Sequence, residues 1–284
     1  MRFAITGAAG MLGQDLVAAA RSAGHEGLGL PRAELDITDR AAVDDALGAA
    51  RADVVVNCAA WTDVDGAETS PEAALAVNGT GAGNVARAAA ATGGWTIHIS
   101  SDYVFHGSKR SPYVESDAVG PVSSYGRSKL AGEREVAREA PGNHTIVRSS
   151  WLFGAFGPCF PATILRLAGE RDELRVVDDQ VGCPTFTGHL AAALIDLAAR
   201  PVRPVGIVHV AGGGECSWYE FAREIVAVSG VSCEVRTCST AEMPRPAKRP
   251  SYSVLRSERD APVLPGWEDG LAEYVAVTGP VSAR

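Results

Sequence analysis

The chain has 284 residues, 46% of them hydrophobic, enough to bury a sizeable core and to suit one main domain with a smaller appended lobe. With 26 Lys and Arg against 34 Asp and Glu, its net charge of -8 speaks against a nucleic-acid or membrane surface. No stretch reaches the ~18 consecutive apolar residues of a membrane span, and the start shows no charged-then-apolar leader pattern, so a cytoplasmic location is expected.

In chain order, residues 1–6 read as a short buried strand. Gly7-Ala8-Ala9-Gly10-Met11-Leu12-Gly13 follows at once and opens an Ala-rich helix running to about Gly24. Strand, glycine turn and helix in this order let backbone approach a pyrophosphate seated on the helix N-terminus; a glycine turn without a ligand is the plainer alternative. The spacing is G-x-x-G-x-x-G rather than G-x-G-x-x-G. A second strand, 26–30, ends at Leu30-Pro31-Arg32. The acid that would bind a ribose 2'-hydroxyl is missing there, and Arg32 suits a 2'-phosphate, so NADPH is the expected cofactor with NADH possible; an ordinary exposed loop charge is the other reading of Arg32.

Further strands are expected at 53–57, 95–100 and 145–148, with helices at 39–50, 84–91 and 125–140 between them. This alternation predicts an α/β fold, a doubly wound parallel sheet of Rossmann type. Ligands bind outside the carboxyl ends of such strands, where Gly7, Cys58-Ala59-Ala60 and Ser100-Ser101 all emerge. Beyond about residue 151 the pattern weakens. A turn-rich break at 153–158 precedes a helix through Arg166 and the segment 175–180. A helix at 189–199 and a strand at 206–210 are expected to complete the sheet domain, while 218–229 and the Pro/Arg-rich 243–251 belong to a C-terminal lobe. The expected division is 1–150 with 186–211 for the nucleotide domain, and 151–185 with 212–284 for the substrate-binding lobe. The six cysteines form no C-x-x-C pair and lie near no His at zinc spacing, so neither a metal site nor a disulfide framework is expected; Cys58 is read as a small buried residue, and Cys233 and Cys238 flank an edge strand.

Tyr125 and Lys129 stand four apart, on one helix face, and Ser101 ends the preceding strand. A nearby ammonium favours tyrosinate, and a hydroxyl from the strand end polarises the same carbonyl or alcohol oxygen. This is equipment for reversible hydride chemistry, although Tyr-x-x-x-Lys also occurs as a plain exposed helix pair.

Taken together, Gly7 to Gly13, Leu35-Asp36-Ile37-Thr38, the run from Val56 to Asp65, Ser100-Ser101-Asp102-Tyr103-Val104-Phe105, Tyr125 to Lys129, Arg148-Ser149-Ser150-Trp151, the run from Asp179 to Thr185 and Arg249-Pro250 resemble the extended short-chain dehydrogenase/reductases. Among these the chain is similar, over nearly its whole length, to the dTDP-4-dehydrorhamnose reductases. The resemblance implies reduction of the C4 ketone of a dTDP-4-keto-6-deoxyhexose, with Tyr125 as general acid, Lys129 lowering its pKa and holding the nicotinamide ribose, and Ser101 holding the substrate oxygen. It places Asp36 and Ile37 at the adenine and Cys58, Ala59, Ala60 and Thr62 along the cofactor. Trp151 covers the hexose, while Asp102, Tyr103, Gln180, Thr185 and Arg249 are further substrate contacts. Core packing for Trp151 and a solvated loop position for Arg249 are the alternatives. Arg245, Lys248 and Arg249 form the densest basic group in this lobe.

Several positions depart from the family pattern. Related 4,6-dehydratases carry an acid and then Glu after the hydroxyl residue, whereas here Asp102 is followed by Tyr103, which favours simple ketone reduction. Rhamnose reductases that dimerise around magnesium use three glutamates per subunit; Asp15 and His189 occupy two of those positions, so no metal is expected and the chain should be a monomer or a magnesium-independent dimer. Cys159 stands where the family suggests Asn. Ketoreductases acting on other dTDP-deoxysugars share the fold, and a non-catalytic NADP-binding regulatory subunit is the alternative of a different class.

Overall fold

The structure is a computed structural model and describes residues 1–279, so the last five positions of the expected C-terminal lobe lie outside the described residues. Six parallel strands form the central sheet: β1 (Arg2–Thr6), β2 (Glu26–Leu30), β3 (Val54–Asn57), β4 (Trp95–Ser101), β5 (His144–Ser149) and β6 (Gly206–His209), in the order β6-β5-β4-β3-β1-β2. Every residue of β3 and of β5 is buried, which explains why β3 reads as a continuous apolar run and not as an alternation. Within β1 the period of two is visible: Phe3 and Ile5 pack with Leu12 and Leu16 of α1 (Met11–Ser22), whereas Ala4 joins Leu47 of α2 (Arg40–Ala50) and Val85 of α3 (Ala82–Ala91) on the other face. Strands β2 and β3 flank β1 on opposite sides, so the winding of the sheet reverses after β2. This is the doubly wound α/β arrangement expected, and the crevice lies where the order reverses.

The expected helix at 39–50 begins at Arg40 because Asp39 is its N-cap, accepting from the Ala41 and Ala42 amides at 3.0 and 3.1 Å. The helix expected at 84–91 is longer. It is preceded by Pro71–Leu75 and by one π-helical stretch, Ala76–Gly81, hidden in the sequence by Asn78, Gly79 and Gly81. The helix α4 (Ser124–Glu139) is capped by Ser123, whose hydroxyl accepts from the Gly126 amide at 3.1 Å.

A second core gathers Phe153 of the short strand Leu152–Phe153, Ile164 of α5 (Phe160–Glu170), Phe221 of α7 (Trp218–Ser229) and Trp267 and Leu271 of α8 (Trp267–Thr278), whereas α6 (Thr187–Ala199) packs on the main sheet. Segment 218–229, assigned from the sequence only to the C-terminal lobe, is the helix α7, which starts at a capping box of Ser217 and Glu220 and ends at Gly230, with φ 70°. Segment 175–180 contains the end of a strand, Glu173–Val177, paired in parallel with Glu234–Cys238. α8 was not anticipated, its interior being broken by Gly270 and rich in valine. No helix among the described residues is long and apolar enough to cross a membrane.

Candidate active site

A cleft of about 780 Å³ opens at the carboxyl ends of β1, β3, β4 and β5. Its nucleotide end is shaped by glycines. Gly7 adopts φ +66°, and a Cβ on it would lie 2.6 Å from the Ala59 amide nitrogen; a Cβ on Gly13 would lie 2.4 Å from the Gly7 carbonyl oxygen. Gly10 caps α1 without a side-chain hydrogen bond, so the helix N-terminus faces the cleft with its amides uncovered. A Cβ on Gly10 would find only the Gly7 carbonyl oxygen, at 3.2 Å. This is a cradle that a diphosphate fits.

Met11, Leu12, Cys58, Ala59, Ala60 and Thr62 also line this end. So do Arg32, Asp36 and Ile37. Arg32 is exposed. Asp36 accepts from the Thr38 amide and hydroxyl at 2.9 and 2.7 Å, which holds its carboxyl below the usual range; the guanidinium of Arg32 adds a smaller push the same way. Burial pushes the Cys58 thiol up to about 12, leaving it a poor nucleophile.

At the other end Ser101, Asp102, Tyr103, Tyr125 and Lys129 share the wall. The Ser101 hydroxyl donates to Asp102 Oδ1 at 2.9 Å and accepts from the Tyr103 amide at 3.1 Å, and the Tyr103 and Tyr125 rings meet edge to face at 5.7 Å. The Lys129 ammonium donates to the Ile99 carbonyl at 2.7 Å. Burial lowers its pKa to about 8, partly offset by Glu133 and Cys58. The expected lowering of the Tyr125 pKa is not found in this arrangement. Burial, with a smaller push from the charge on Asp102, raises the phenol to about 12, and only its hydrogen bond with Ser101 opposes them. A phenol so held is protonated at neutral pH and can give its proton to a developing alkoxide.

Asp102 is buried, with no cation beside it among the described residues; burial raises its carboxyl to about 6, against hydrogen bonds from Ser253, Ser101 and Ser150. Ser253 and Ser150 were not anticipated. Nor was Asn78 in the π-helical stretch, which accepts from the Trp61 amide at 2.8 Å and donates to Ser128 Oγ at 2.9 Å, tying the cofactor-side loop to α4. Glu68 accepts from the Ser124 amide at 2.6 Å, placing a carboxylate at the N-terminus of α4.

On the sugar side, Trp151 lines the cleft at φ 47°, a left-handed conformation costly for a residue with a Cβ. Its indole lies flat on that of Trp218, with centroids 3.4 Å apart, and a Cβ on Gly182 would come within 2.4 Å of it. Trp218, also on the cleft wall, was not anticipated. Arg249 reaches the cleft from the C-terminal loop but is no solvated loop residue. It is half-buried and paired in two-pronged fashion with Asp65 at 3.0 and 2.9 Å. Gln180 and Thr185 do not line the cleft: Gln180 donates to Thr240 Oγ1 at 2.8 Å, while Thr185 Oγ1 donates to the Cys183 carbonyl and accepts from the Gly212 amide. Cys159 caps α5 inside the second core.

At the positions where the resemblance suggested magnesium ligands, His189 Nε2 lies 2.9 Å from Glu273 Oε1 and burial raises the Asp15 carboxyl. An imidazole and a desolvated, shorter carboxyl make a poor donor set for a hard cation. Among the described residues no group of three or more His, Cys, Asp or Glu could hold a metal ion.

The family described as the RmlD substrate binding domain matches residues 1–278. A dTDP-4-dehydrorhamnose reductase of Mycolicibacterium smegmatis is 45% identical over 97% of this chain and 85% of its own length. A dTDP-4-keto-6-deoxy-D-glucose reductase of Streptomyces niveus is 40% identical over 93% of this chain and 92% of its own. The crystal structure of a dTDP-4-dehydrorhamnose reductase from Bacillus anthracis in complex with NADP superposes with a TM-score of 0.93 at 36% identity, covering 98% of this chain and 99% of that one. Fold, cleft and family match agree along the described length, and the chain belongs to the RmlD substrate binding domain family, with these dTDP-sugar reductases as its relatives.

Proposed function

We propose that this protein is an NADPH-dependent reductase of the C4 ketone of a dTDP-4-keto-6-deoxyhexose, converting dTDP-4-dehydro-L-rhamnose to dTDP-L-rhamnose. The observation that carries the reading is the convergence of Ser101, a protonated Tyr125 and a buried Lys129 on the cleft that the glycine turn and the N-terminus of α1 close at its other end. The glycine turn, Arg32 and Thr62 would hold a reduced nicotinamide cofactor, which would supply the hydride.

The residues of the chain do the rest. Ser101 Oγ orients the ketone oxygen, and Tyr125 gives it the phenolic proton as negative charge develops there. Lys129, its ammonium behind the tyrosine on the same helix face, stabilises the tyrosinate left behind. The stacked Trp151 and Trp218 wall off the hexose, and Arg249, held half-buried by Asp65, lies where a sugar diphosphate would pass. The division into a nucleotide domain (1–150 with 186–211) and a sugar-nucleotide lobe (151–185 with 212–284) is part of this proposal, supported by the two separate cores.

The Streptomyces niveus relative supports a second reading, reduction of another dTDP-4-keto-6-deoxyhexose. NADPH oxidation assayed across a panel of such sugars, the 4-keto-rhamnose included, separates the two by which substrate gives the highest kcat/KM. Oxidation with none of them contradicts both.

Arg32 sets the cofactor preference. Its Ala variant is expected to lose a charge-assisted phosphate contact worth ~1.5–3 kcal/mol, so the ratio of kcat/KM for NADPH over NADH should fall by roughly ten-fold or more. An unchanged ratio would remove Arg32 from the 2'-phosphate site.

A further inference from the structure

Behind the catalytic residues lies a buried charge pair that the scheme above does not use. Glu133 stands one helical turn beyond Lys129, on the same face of α4. Arg148 of β5 grips it with Nε on Oε1 and Nη2 on Oε2, both at 2.8 Å, and the Ser100 hydroxyl donates to Oε1 at 2.6 Å. The two charged side chains are 2% and 4% exposed. Arg148 is itself fixed: its guanidinium lies 5.0 Å from the Phe105 ring centroid, and Nη1 lies 3.5 Å from His209 Nε2. His209 Nδ1 faces the carbonyls of Tyr113 and Arg256, which assigns its proton to Nδ1 and leaves Nε2 to accept from Arg148. Burial keeps that imidazole neutral.

Burying an ion pair costs several kcal/mol per ion in desolvation, and an apolar pair would fill the space at less expense. The position of the pair gives it another use. Ser100 precedes Ser101 and is in register with Arg148 across the β4–β5 ladder; Arg148 lies two residues before Ser150, which hydrogen-bonds Asp102, and three before Trp151. Glu133 thus joins the strand end that delivers the serine, the strand that delivers the tryptophan and the helix that delivers Tyr125 and Lys129. We infer that Glu133, clamped by Arg148 and Ser100, is a positioning residue that keeps the Lys129 side chain charged and in line with the reacting centre.

The groups facing Lys129 support this. Among the described residues its ammonium donates only to a backbone carbonyl, that of Ile99 at 2.7 Å. From β4 comes His98, kept neutral by burial, and from the end of β3 the Cys58 thiol, kept protonated by burial; Tyr125 on its own helix is a protonated phenol. Glu133, paired with Arg148, is therefore the carboxylate among these neighbours, and it acts to raise the lysine pKa against burial.

The inference rests on the reductase reading, and its test reads two quantities on the full-length protein. The first is the pH dependence of kcat/KM with NADPH and the best 4-keto sugar; the second is the pH dependence of NADPH affinity, followed by fluorescence without turnover. In the unmodified protein both should decline above a pH of about 8, where Lys129 deprotonates. With Glu133→Gln the decline should begin about one pH unit lower, the size of shift that a nearby opposite charge produces. A folded Glu133→Gln protein whose two profiles keep the original midpoints, whatever their height, overturns the inference, because a purely structural contact scales the curves without moving them. If the neutral variant does not accumulate folded, Glu133→Asp decides: it keeps the charge but retracts it, and should lower kcat several-fold with the midpoints nearly in place. A parental kcat in that variant overturns the inference. If the unmodified protein reduces no sugar, the reductase reading fails, while the NADPH-affinity profiles still judge Glu133.

Discussion

Replacing Tyr125 with Phe should lower kcat by about two to four orders of magnitude while leaving NADPH affinity close to that of the unmodified protein. The substitution removes one oxygen from a half-buried ring whose edge-to-face contact with Tyr103 survives, so the fold should hold. What is lost is the proton donor. Burial and Asp102 keep the phenol protonated to a pKa of about 12, so in the unmodified protein the acid form is fully present at neutral pH. The loss should fall on kcat rather than on cofactor binding, because the proton moves only as the ketone is reduced. Steady-state kinetics beside a calorimetric titration with NADPH check this; turnover within a factor of a few of normal would remove Tyr125 from the mechanism.

Gly7→Ala should weaken NADPH binding by roughly ten- to a hundred-fold, or about 1.4–2.8 kcal/mol. Two costs coincide at this residue. Its φ of +66° disfavours any side chain, and the new Cβ would meet the backbone of Ala59 at 2.6 and 2.8 Å and of Cys58 at 2.9 Å, atoms that cannot rotate away. The turn must therefore separate from the end of β3, and the cradle for the diphosphate widens. Gly24→Ala is the control: its φ of +75° carries a similar strain, but nothing lies within 4 Å of the added carbon. Both variants should melt a few degrees lower, and only Gly7→Ala should lose NADPH affinity. Equal affinities in the two would separate the glycine turn from cofactor binding.

The parts of the site that could be read from the chain are those fixed by local periodicity. A glycine turn between strand and helix, a serine ending an apolar strand and a Tyr-Lys pair one turn apart need only the direction of the chain to be brought together, and the doubly wound sheet supplies it. Residues that act across the chain were not legible. Glu68 caps α4 from 56 positions away, and Ser253 reaches Asp102 from the C-terminal loop. Trp218 completes the Trp151 stack from a different helix. Gln180 and Thr185 were misplaced because motif position fixes where a residue falls along the chain but not which way its side chain points; both turn to hold the lobe together. The charge state of Tyr125 was misjudged for a related reason. The i, i+4 spacing suggested that Lys129 governs it, whereas desolvation and a buried aspartate, neither visible in spacing, set its direction.

The central claim is hydride delivery to C4 of a dTDP-4-keto-6-deoxyhexose with Tyr125 supplying the proton. Turnover of dTDP-4-dehydro-L-rhamnose with NADPH deuterated at the transferred position, followed by NMR of the isolated sugar nucleotide, tests it most directly. The account predicts one deuterium at C4 of dTDP-L-rhamnose and none elsewhere on the sugar. NADPH binding without deuterium transfer, to this or any related 4-keto sugar, would contradict it.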